Sequence, residues 1–417
     1  MRVAVIGAGI IGVTTAYELA ADGHEVSVFE RGPSVAGGTS FANAGVVAPG
    51  YVTPWAAPGM PWKVLSQMFG RHAAIRVGAG VPFRDAAWLW RWWRACRPAV
   101  HEANRTRMHR LARYSRDRLD GLTERLGLDY ERAMGYMVLL RSERELARAR
   151  GGLKLLAELG VPFELVDAAR ARLLEPGLSE ATALRAAVHL PQDGVGNCRQ
   201  FAHLLKAEAQ KLGAGFRFQQ SVQAIRPGTN PQLTVDGHEH SFDGVVVCAG
   251  HDASSLLTPL GLRLPLLPVW GYSLTAPLRE FDGHPGIGPR AALMDERYKV
   301  AISRLGRRVR VAGSAELGGT AERFHTGAMS TLYKVLHDWF PGAAHLAQAQ
   351  RWKGARPMLP DGPPVLGASG RPGIWVNLGH GSSGWALSAG SARALADLMG
   401  GRAPVIDLEG LGVERLA

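Results

Sequence analysis

The chain has 417 residues and a formal net charge of +12, with 46% hydrophobic and 20% charged residues. That balance suits a soluble globular protein of two or three domains and excludes a largely disordered chain, and no apolar run is long enough to cross a bilayer. An apolar strand begins by residue 3, so a secretory leader is not expected. Cys96, Cys198 and Cys248 stand far apart with no CxxC pair, as reduced thiols of a cytosolic protein without a disulfide, zinc or other metal role.

The first thirty residues carry the strongest pattern. An apolar strand (Val3, Ala4, Val5, Ile6) runs into Gly7-Ala8-Gly9-Ile10-Ile11-Gly12. A helix follows with Ala16 and Leu19 inward, Gly23 ends it, and Val26 and Val28 rebuild a strand with Glu30 at its tip. Gly7 permits a tight turn, Gly9 lets the backbone approach a pyrophosphate, and Gly12 lets helix and strand pack closely. The helix N-terminus offers N–H groups to phosphate, and Glu30 is placed to accept from a ribose. The loop 37–45 is rich in glycine and small polar residues and suits a close wrap around a cofactor; a Pro/Gly-rich loop follows through Pro61.

Residues 84 to 128 have a helical pattern. Between Arg84 and Arg118 ten arginines stand against three acids, and the segment contains Trp88-Leu89-Trp90-Arg91-Trp92-Trp93. Tryptophan with arginine suits a membrane–water interface, so the Trp88–Arg118 region is a candidate for peripheral contact with the inner face of the cytoplasmic membrane. The alternative is a packed helix with a solvated basic face, and Met108, Leu111, Ala112, Leu119, Leu122 and Leu126 do recur at helical spacing. No nucleic-acid module is present, and basic charge alone gives only non-specific affinity, so nucleic acid is not an expected partner.

Tyr136–Leu140 reads as a buried strand, and Ser142 with Glu145 as a capping box opening a helix. Asn197 caps a helix to about Leu212. Phe216 and Phe218 start a strand, Val222 and Ile225 continue that sheet, and Asp236-Gly237 marks a hairpin turn. Val245–Cys248 is a short apolar strand ending in Ala249-Gly250. Antiparallel strands follow near 266–275, 291–303 and 307–313, then a helix near 327–340. Trp375-Val376-Asn377 precedes Gly379-His380-Gly381-Ser382-Ser383-Gly384 and a final helix to about Met399.

Three separated glycine-rich stops thus point at one long ligand. FAD needs all three where a nicotinamide site would not. The stretches TSFANAG, PGYVTPWAAPG, VWGYSLT, DERYKVAISR, RVRVAGSAE, ARPMLPDGPPVLG and NLGHGSSGWALSAGS, spread to about residue 398, resemble bacterial FAD-dependent D-amino acid dehydrogenases within the D-amino acid oxidase and glycine oxidase family. The resemblance implies an α/β chain: a Rossmann-type FAD-binding domain of the glutathione-reductase type and a second α+β substrate domain on a mixed or antiparallel sheet. We expect the first in residues 1–83, 186–262 and 341–417, and the second in 84–185 and 263–340. Contacts to non-covalent FAD are expected from Gly7, Gly9, Ile10, Ile11, Gly12, Glu30 and Arg31; from Thr39, Ser40, Asn43, Ala44 and Gly45; and from Val222, Ala249, Gly250, Gly379, His380, Gly381, Ser382, Ser383 and Gly384.

The same resemblance implies oxidative deamination of a small D-amino acid to a 2-oxo acid and ammonia, by hydride transfer from the α-carbon to flavin N5, with electrons passed to a quinone or other membrane carrier. Arg356 matches the arginine that holds the substrate carboxylate, and its rigid two-pronged fork suits that task. Tyr298 and Tyr272 lie on strands that face the flavin in the family, and Tyr51 is a further candidate. Asn43 stands where some relatives have histidine, and His380 reads as lining the flavin rather than as a base. The alternatives are an oxidase returning electrons to oxygen, a dehydrogenase of a cyclic substrate such as D-proline or hydroxyproline, and a flavin-free binding or escort protein on the same fold.

Overall fold

The computed structural model describes residues 1–67, 70, 72–78, 85–279 and 286–416; Arg84 and the 83/84 boundary lie outside them. A six-stranded sheet runs in the order Val365–Ala368, Ile374–Leu378, Gly244–Val247, Arg2–Ile6, Glu25–Glu30, Gly215–Phe218. All neighbours are parallel except the pair formed by Val365–Ala368 and Ile374–Leu378. Its central strands are apolar throughout because both faces are covered. Val3 and Val5 pack under the helices Ile10–Ala21, Cys198–Lys211 and Gly384–Met399. Ala4 and Ile6, on the other side of the pleat, meet Ile225, Leu233 and Val235 of a three-stranded meander.

That meander corrects one expectation. Val222 and Ile225 do not continue the sheet of Phe216 and Phe218; they open the separate meander Val222–Arg226, Gln232–Val235, His238–Ser241. Its hairpin turns at Asp236 (φ 50°) and Gly237 (φ 81°), the double left-handed turn that Asp-Gly favours. The Asn197 cap forms as expected, accepting from the Gln200 N–H at 3.2 Å. The capping box does not. Ser142 makes no side-chain cap, and Glu145 reaches one residue further back to the Arg141 N–H at 2.6 Å.

The second sheet has ten strands. Its main path is Gln350–Met358, Leu267–Pro277, Arg308–Leu317, Val300–Leu305, Ala292–Asp295, Ala133–Leu140, Ala186–Val195, Val46–Val47, with Ile75–Val77 and Glu164–Val166 attached. It is mixed: Ala292–Asp295 runs parallel to Ala133–Leu140, and the other pairs of the main path are antiparallel. Leu293, Val300, Ile302, Val309 and Val311 pack toward the helix Thr326–Trp339. Their alternates Met294, Ala301 and Ala312 face a cavity. The expected 291–303 strand is two strands joined by a turn at 296–299.

Sheet membership crosses the expected domain division. Val46–Val47 and Ile75–Val77 from 1–83, Ala186–Val195 from 186–262 and Gln350–Met358 from 341–417 all pair in the ten-stranded sheet. The helix Pro98–Leu126, placed by sequence with the second part, buries Leu119 and Leu122 in the core beneath the six-stranded sheet. Glu18, with no exposure, ties three helices together. It accepts from Arg118 at 2.7 and 2.6 Å and from Arg393 at 2.9 Å. An apolar strand carries the same alternation whichever sheet accepts it, so the choice depends on partners distant in the chain.

Candidate active site

A cavity of about 910 Å³ lies between the two sheets. Every expected cofactor residue borders it except Gly12, and so do Arg356, Tyr272 and Tyr51. Tyr298 does not.

The first turn is built by sterics. Gly7 has φ 99°, and a Cβ there would stand 2.8 Å from the Cys248 carbonyl oxygen. A Cβ on Gly12 would fall 1.8 Å from the Gly7 carbonyl oxygen, so Gly12 holds helix to strand rather than touching a ligand. A Cβ on Gly9 would meet only Ser40 Oγ, at 3.6 Å. The first N–H groups of a helix lack intrahelical partners. Ser40 Oγ takes that of Ile10 at 3.0 Å, and Gly9, Ile10 and Ile11 face the cavity. Glu30 fixes the rim by accepting from the Ala8 and Gly32 N–H groups, both at 2.7 Å. Arg31 pairs with Asp252 at 2.7 Å across the mouth, beside Ala249 and Gly250.

The loop 37–45 is stapled to the ten-stranded sheet. Thr39 donates to the Ala355 carbonyl at 2.6 Å, Ser273 to that of Ala42 and Ser303 to that of Ala44, both at 2.8 Å. Arg310 donates to the Asn43 carbonyl at 3.0 Å, and the Asn43 side chain accepts from the Gly45 N–H at 3.0 Å. At the far wall Gly379 (φ 76°) and Gly381 (φ 55°) bracket His380 before the last helix. His380 Nε2 lies 3.0 Å from Ser391 Oγ, and burial pushes its pKa down to about 3, so the ring is neutral and not poised as a base.

These residues fit FAD. An adenine-and-ribose end is offered by the Glu30 rim, a pyrophosphate end by bare Gly9 and the open helix N-terminus, and an extended remainder by the lining that continues to residues 379–384.

The ten-stranded sheet supplies the opposite wall. Arg356 spans the neighbouring strand over Gly271, where a Cβ would come within 2.5 Å of the guanidinium, and donates to the Ser314 carbonyl at 3.0 Å. Among the described residues no carboxylate pairs with it, and burial pushes its pKa down to about 10. Tyr272 presents its ring, but its hydroxyl is engaged: it donates to Glu316 and accepts from the His325 N–H at 3.2 Å, while Lys353 pairs with Glu316 at 2.9 Å. Burial first, then Glu316, raises the Tyr272 hydroxyl well above its usual range. Tyr51 donates to Glu296 at 2.9 Å and accepts from Lys299 at 3.1 Å.

Tyr298 packs on the opposite side of the sheet, its ring under the Arg141 guanidinium at 5.2 Å and against the core of the helix Thr326–Trp339. The cause is the 296–299 turn, where Lys299 takes φ 52° and its own side chain enters the cavity lining. An uninterrupted strand would not have reversed those two neighbours. Sequence reasoning missed Lys63, Lys299 and Tyr136, all of which line the cavity. The one available signal was scarcity, since the chain has only seven lysines.

The Rossmann-type sheet, glycine-built phosphate turn and second mixed sheet define a flavin-dependent oxidoreductase. The chain belongs to the FAD dependent oxidoreductase family, whose model matches residues 2–398. It is 44% identical to a D-amino acid dehydrogenase of Cereibacter sphaeroides, over 100% of this chain and 96% of that protein. It is 41% identical to one of Rhizorhabdus wittichii, over 100% of both. In fold it is similar to glycine oxidase from Geobacillus kaustophilus (TM-score 0.76, 24% identity, 99% of this chain and 98% of that one). It also resembles iminodiacetate oxidase from Chelativorans sp. BNC1 (TM-score 0.74, 23% identity, 99% and 98%).

Proposed function

We propose that this enzyme oxidises D-amino acids to imino acids, which hydrolyse in water to 2-oxo acids and ammonia, and that its electrons pass to a quinone or another membrane carrier. The observation that carries the reading is Arg356, a guanidinium facing the flavin cavity with one carbonyl bond and, among the described residues, no acid partner. Such a group is completed by a substrate carboxylate, which a two-pronged donor also orients. Bound FAD supplies the two-electron acceptor. Gly271 makes room for the Arg356 guanidinium itself, and Gly313 for Val300 and the Lys299 carbonyl, so the fork is seated in the cavity wall rather than standing out from it. The D-amino acid dehydrogenases among the relatives support the stereochemistry.

The test is the visible flavin band of the FAD-loaded protein under anaerobic conditions. D-Alanine is expected to bleach it and L-alanine is not; bleaching by neither removes the substrate assignment. On readmitting air, slow recolouring marks a dehydrogenase and immediate recolouring an oxidase.

The membrane acceptor is supported by a surface patch. Trp88 and Trp92 are buried, but Trp90 and Trp93 are 57% and 53% exposed and stack at 5.1 Å. The helix Met60–Gln67 packs on the same small core through Met60 and Val64 and exposes Trp62 (77%) and Leu65 (57%). Met60 and Lys63 of that helix border the cavity, so the patch adjoins its mouth, with Arg94 and Arg97 exposed nearby. No helix among the described residues is long and apolar enough to cross a membrane; such a patch lies on the interface instead. Replacing Trp62, Trp90 and Trp93 together by serine should abolish co-sedimentation with anionic vesicles while leaving flavin reduction by D-alanine intact. Unchanged sedimentation would remove the patch from this role.

A further inference from the structure

We infer that the end of the cavity beyond Arg356 is a side-chain subsite for an anion, so that the preferred substrates are D-amino acids whose side chain ends in a carboxylate, of aspartate or glutamate size. This rests on the deamination proposed above and concerns the same site. Tyr51, Lys63, Tyr136, Met294 and Lys299 converge there from four separated segments.

Two groups in this end lack partners among the described residues. The Tyr136 hydroxyl belongs to a side chain with no solvent exposure, yet has no hydrogen-bond partner among those residues, although Tyr136 borders the cavity and its ring meets that of Tyr51 at 5.4 Å. A buried hydroxyl left in that state is costly unless a ligand completes it. The Lys63 ammonium has neither hydrogen bond nor ion pair among the described residues. Lys299 is committed to Glu296 and Tyr51. The charges around Lys63 are Lys299 and Arg148 against Glu296 and Glu145, and Glu145 is paired with Arg297 at 2.7 Å. Around Lys63 the cavity end therefore carries surplus positive charge; the acids that face the unused Tyr136 hydroxyl are Glu296, already engaged by Lys299 and Tyr51, and Asp193, which accepts from the Gly50 N–H and whose pKa burial pushes up to about 7. Burial, then the like charge of Lys299, pushes the Lys63 ammonium below its usual range, a strain that a bound anion relieves.

The reach is set by the sheet. The Arg356 fork bonds Ser314 on the strand Arg308–Leu317, and Lys299 immediately precedes Val300, which pairs with Gly313 of that strand. Adjacent strands lie about 4.8 Å apart, so Tyr136, three strands further on in Ala133–Leu140, stands about 14 Å of sheet away, shortened by the length of its own side chain; of the two acids, glutamate reaches further toward it. An apolar side chain would leave both Tyr136 and Lys63 unsatisfied.

The test compares D-glutamate with D-glutamine, equal in shape and different in charge, on the FAD-loaded enzyme. Wild type is expected to favour D-glutamate at least tenfold in kcat/KM, and Lys63→Met and Tyr136→Phe should each move that ratio toward one. A readout without turnover is the binding of glutarate against valerate, followed by perturbation of the flavin spectrum. Glutarate should bind at least tenfold tighter, and that advantage should fall in Lys63→Met. Equal treatment of D-glutamate and D-glutamine, or of glutarate and valerate, in wild type overturns the subsite. So does a ratio that neither variant changes. If D-alanine bleaches the flavin and the ratio is one, the subsite fails and the deamination stands. If no D-amino acid bleaches the flavin but glutarate is still favoured, the deamination fails and the anion site stands.

Discussion

Replacing Arg356 with methionine is expected to lower kcat/KM for D-alanine by about 100- to 1000-fold, mainly through KM, without lowering the melting temperature. The guanidinium sits over Gly271 with one bond, to the Ser314 carbonyl, and no carboxylate paired with it among the described residues. An unpaired buried cation costs the folded state its hydration, and a methionine of similar length relieves that cost. The substrate loses a two-pronged charged contact, about 3–4 kcal/mol when the partner carboxylate is left without its cation. Because the carboxylate is held both before and during the reaction, most of the loss appears in KM. Some appears in kcat, because the α-carbon is no longer held in place. Arg356→Lys keeps the charge and loses the fork, so it should fall between. An unchanged KM in either variant would end the carboxylate role. A melting temperature that drops in step with activity would make Arg356 a structural residue instead.

The division between what the sequence disclosed and what it hid follows the range of the forces involved. The turn at Gly7, the helix it opens and Glu30 at the end of the next strand form a local unit. Gly7 and Gly12 are required by contacts within it or with the adjoining strand, as Gly12 is by the Gly7 carbonyl. Such a unit is legible from one stretch of chain. The Asp236-Gly237 turn and the Asn197 cap are local in the same sense. Tyr298 was misplaced because a four-residue turn, 296–299, interrupts what looked like one strand, and a single change of parity exchanges the faces of neighbouring residues. Lys63 and Tyr136 were invisible for a different reason. One sits on a short helix with an exposed tryptophan, the other on a buried strand, and neither lies in a recognisable motif. Only the pairing of Ala133–Leu140 with Ala292–Asp295 brings the strand of Tyr136 alongside the turn that carries Lys299. The sheet to which Ala186–Val195 belongs was hidden likewise, because its apolar alternation fits either sheet.

Replacing Gly12 with alanine should yield protein that retains no flavin and melts well below wild type, whereas Gly9→Ala should fold normally and bind FAD at least tenfold more weakly. The two glycines differ in what surrounds the missing Cβ. At Gly12 it would lie 1.8 Å from the Gly7 carbonyl oxygen and 2.9 Å from the Gly7 carbonyl carbon, and backbone atoms cannot rotate away. Gly7 cannot retreat either. Its N–H is bonded to the Phe29 carbonyl at 2.8 Å, and its own Cα faces the Cys248 carbonyl from a φ that other residues rarely adopt. The helix Ile10–Ala21 must therefore lift from the first strand. That opens the core holding Val13 and Ala16 and carries the Ile10 N–H away from Ser40. Overpacking of this kind costs about 1–3 kcal/mol or more, and the phosphate-facing N–H groups are displaced with it. At Gly9 the Cβ would meet only Ser40 Oγ at an ordinary 3.6 Å and otherwise extend into the cavity. The fold then has nothing to accommodate, and the obstruction falls on the cofactor. Melting curves with and without added FAD separate the cases: Gly9→Ala should match wild type without FAD and gain less on its addition. If Gly12→Ala instead melts like wild type and keeps its flavin, the close packing of helix on strand is not what shapes this turn. If Gly9→Ala binds FAD as wild type does, the pyrophosphate does not pass over Gly9.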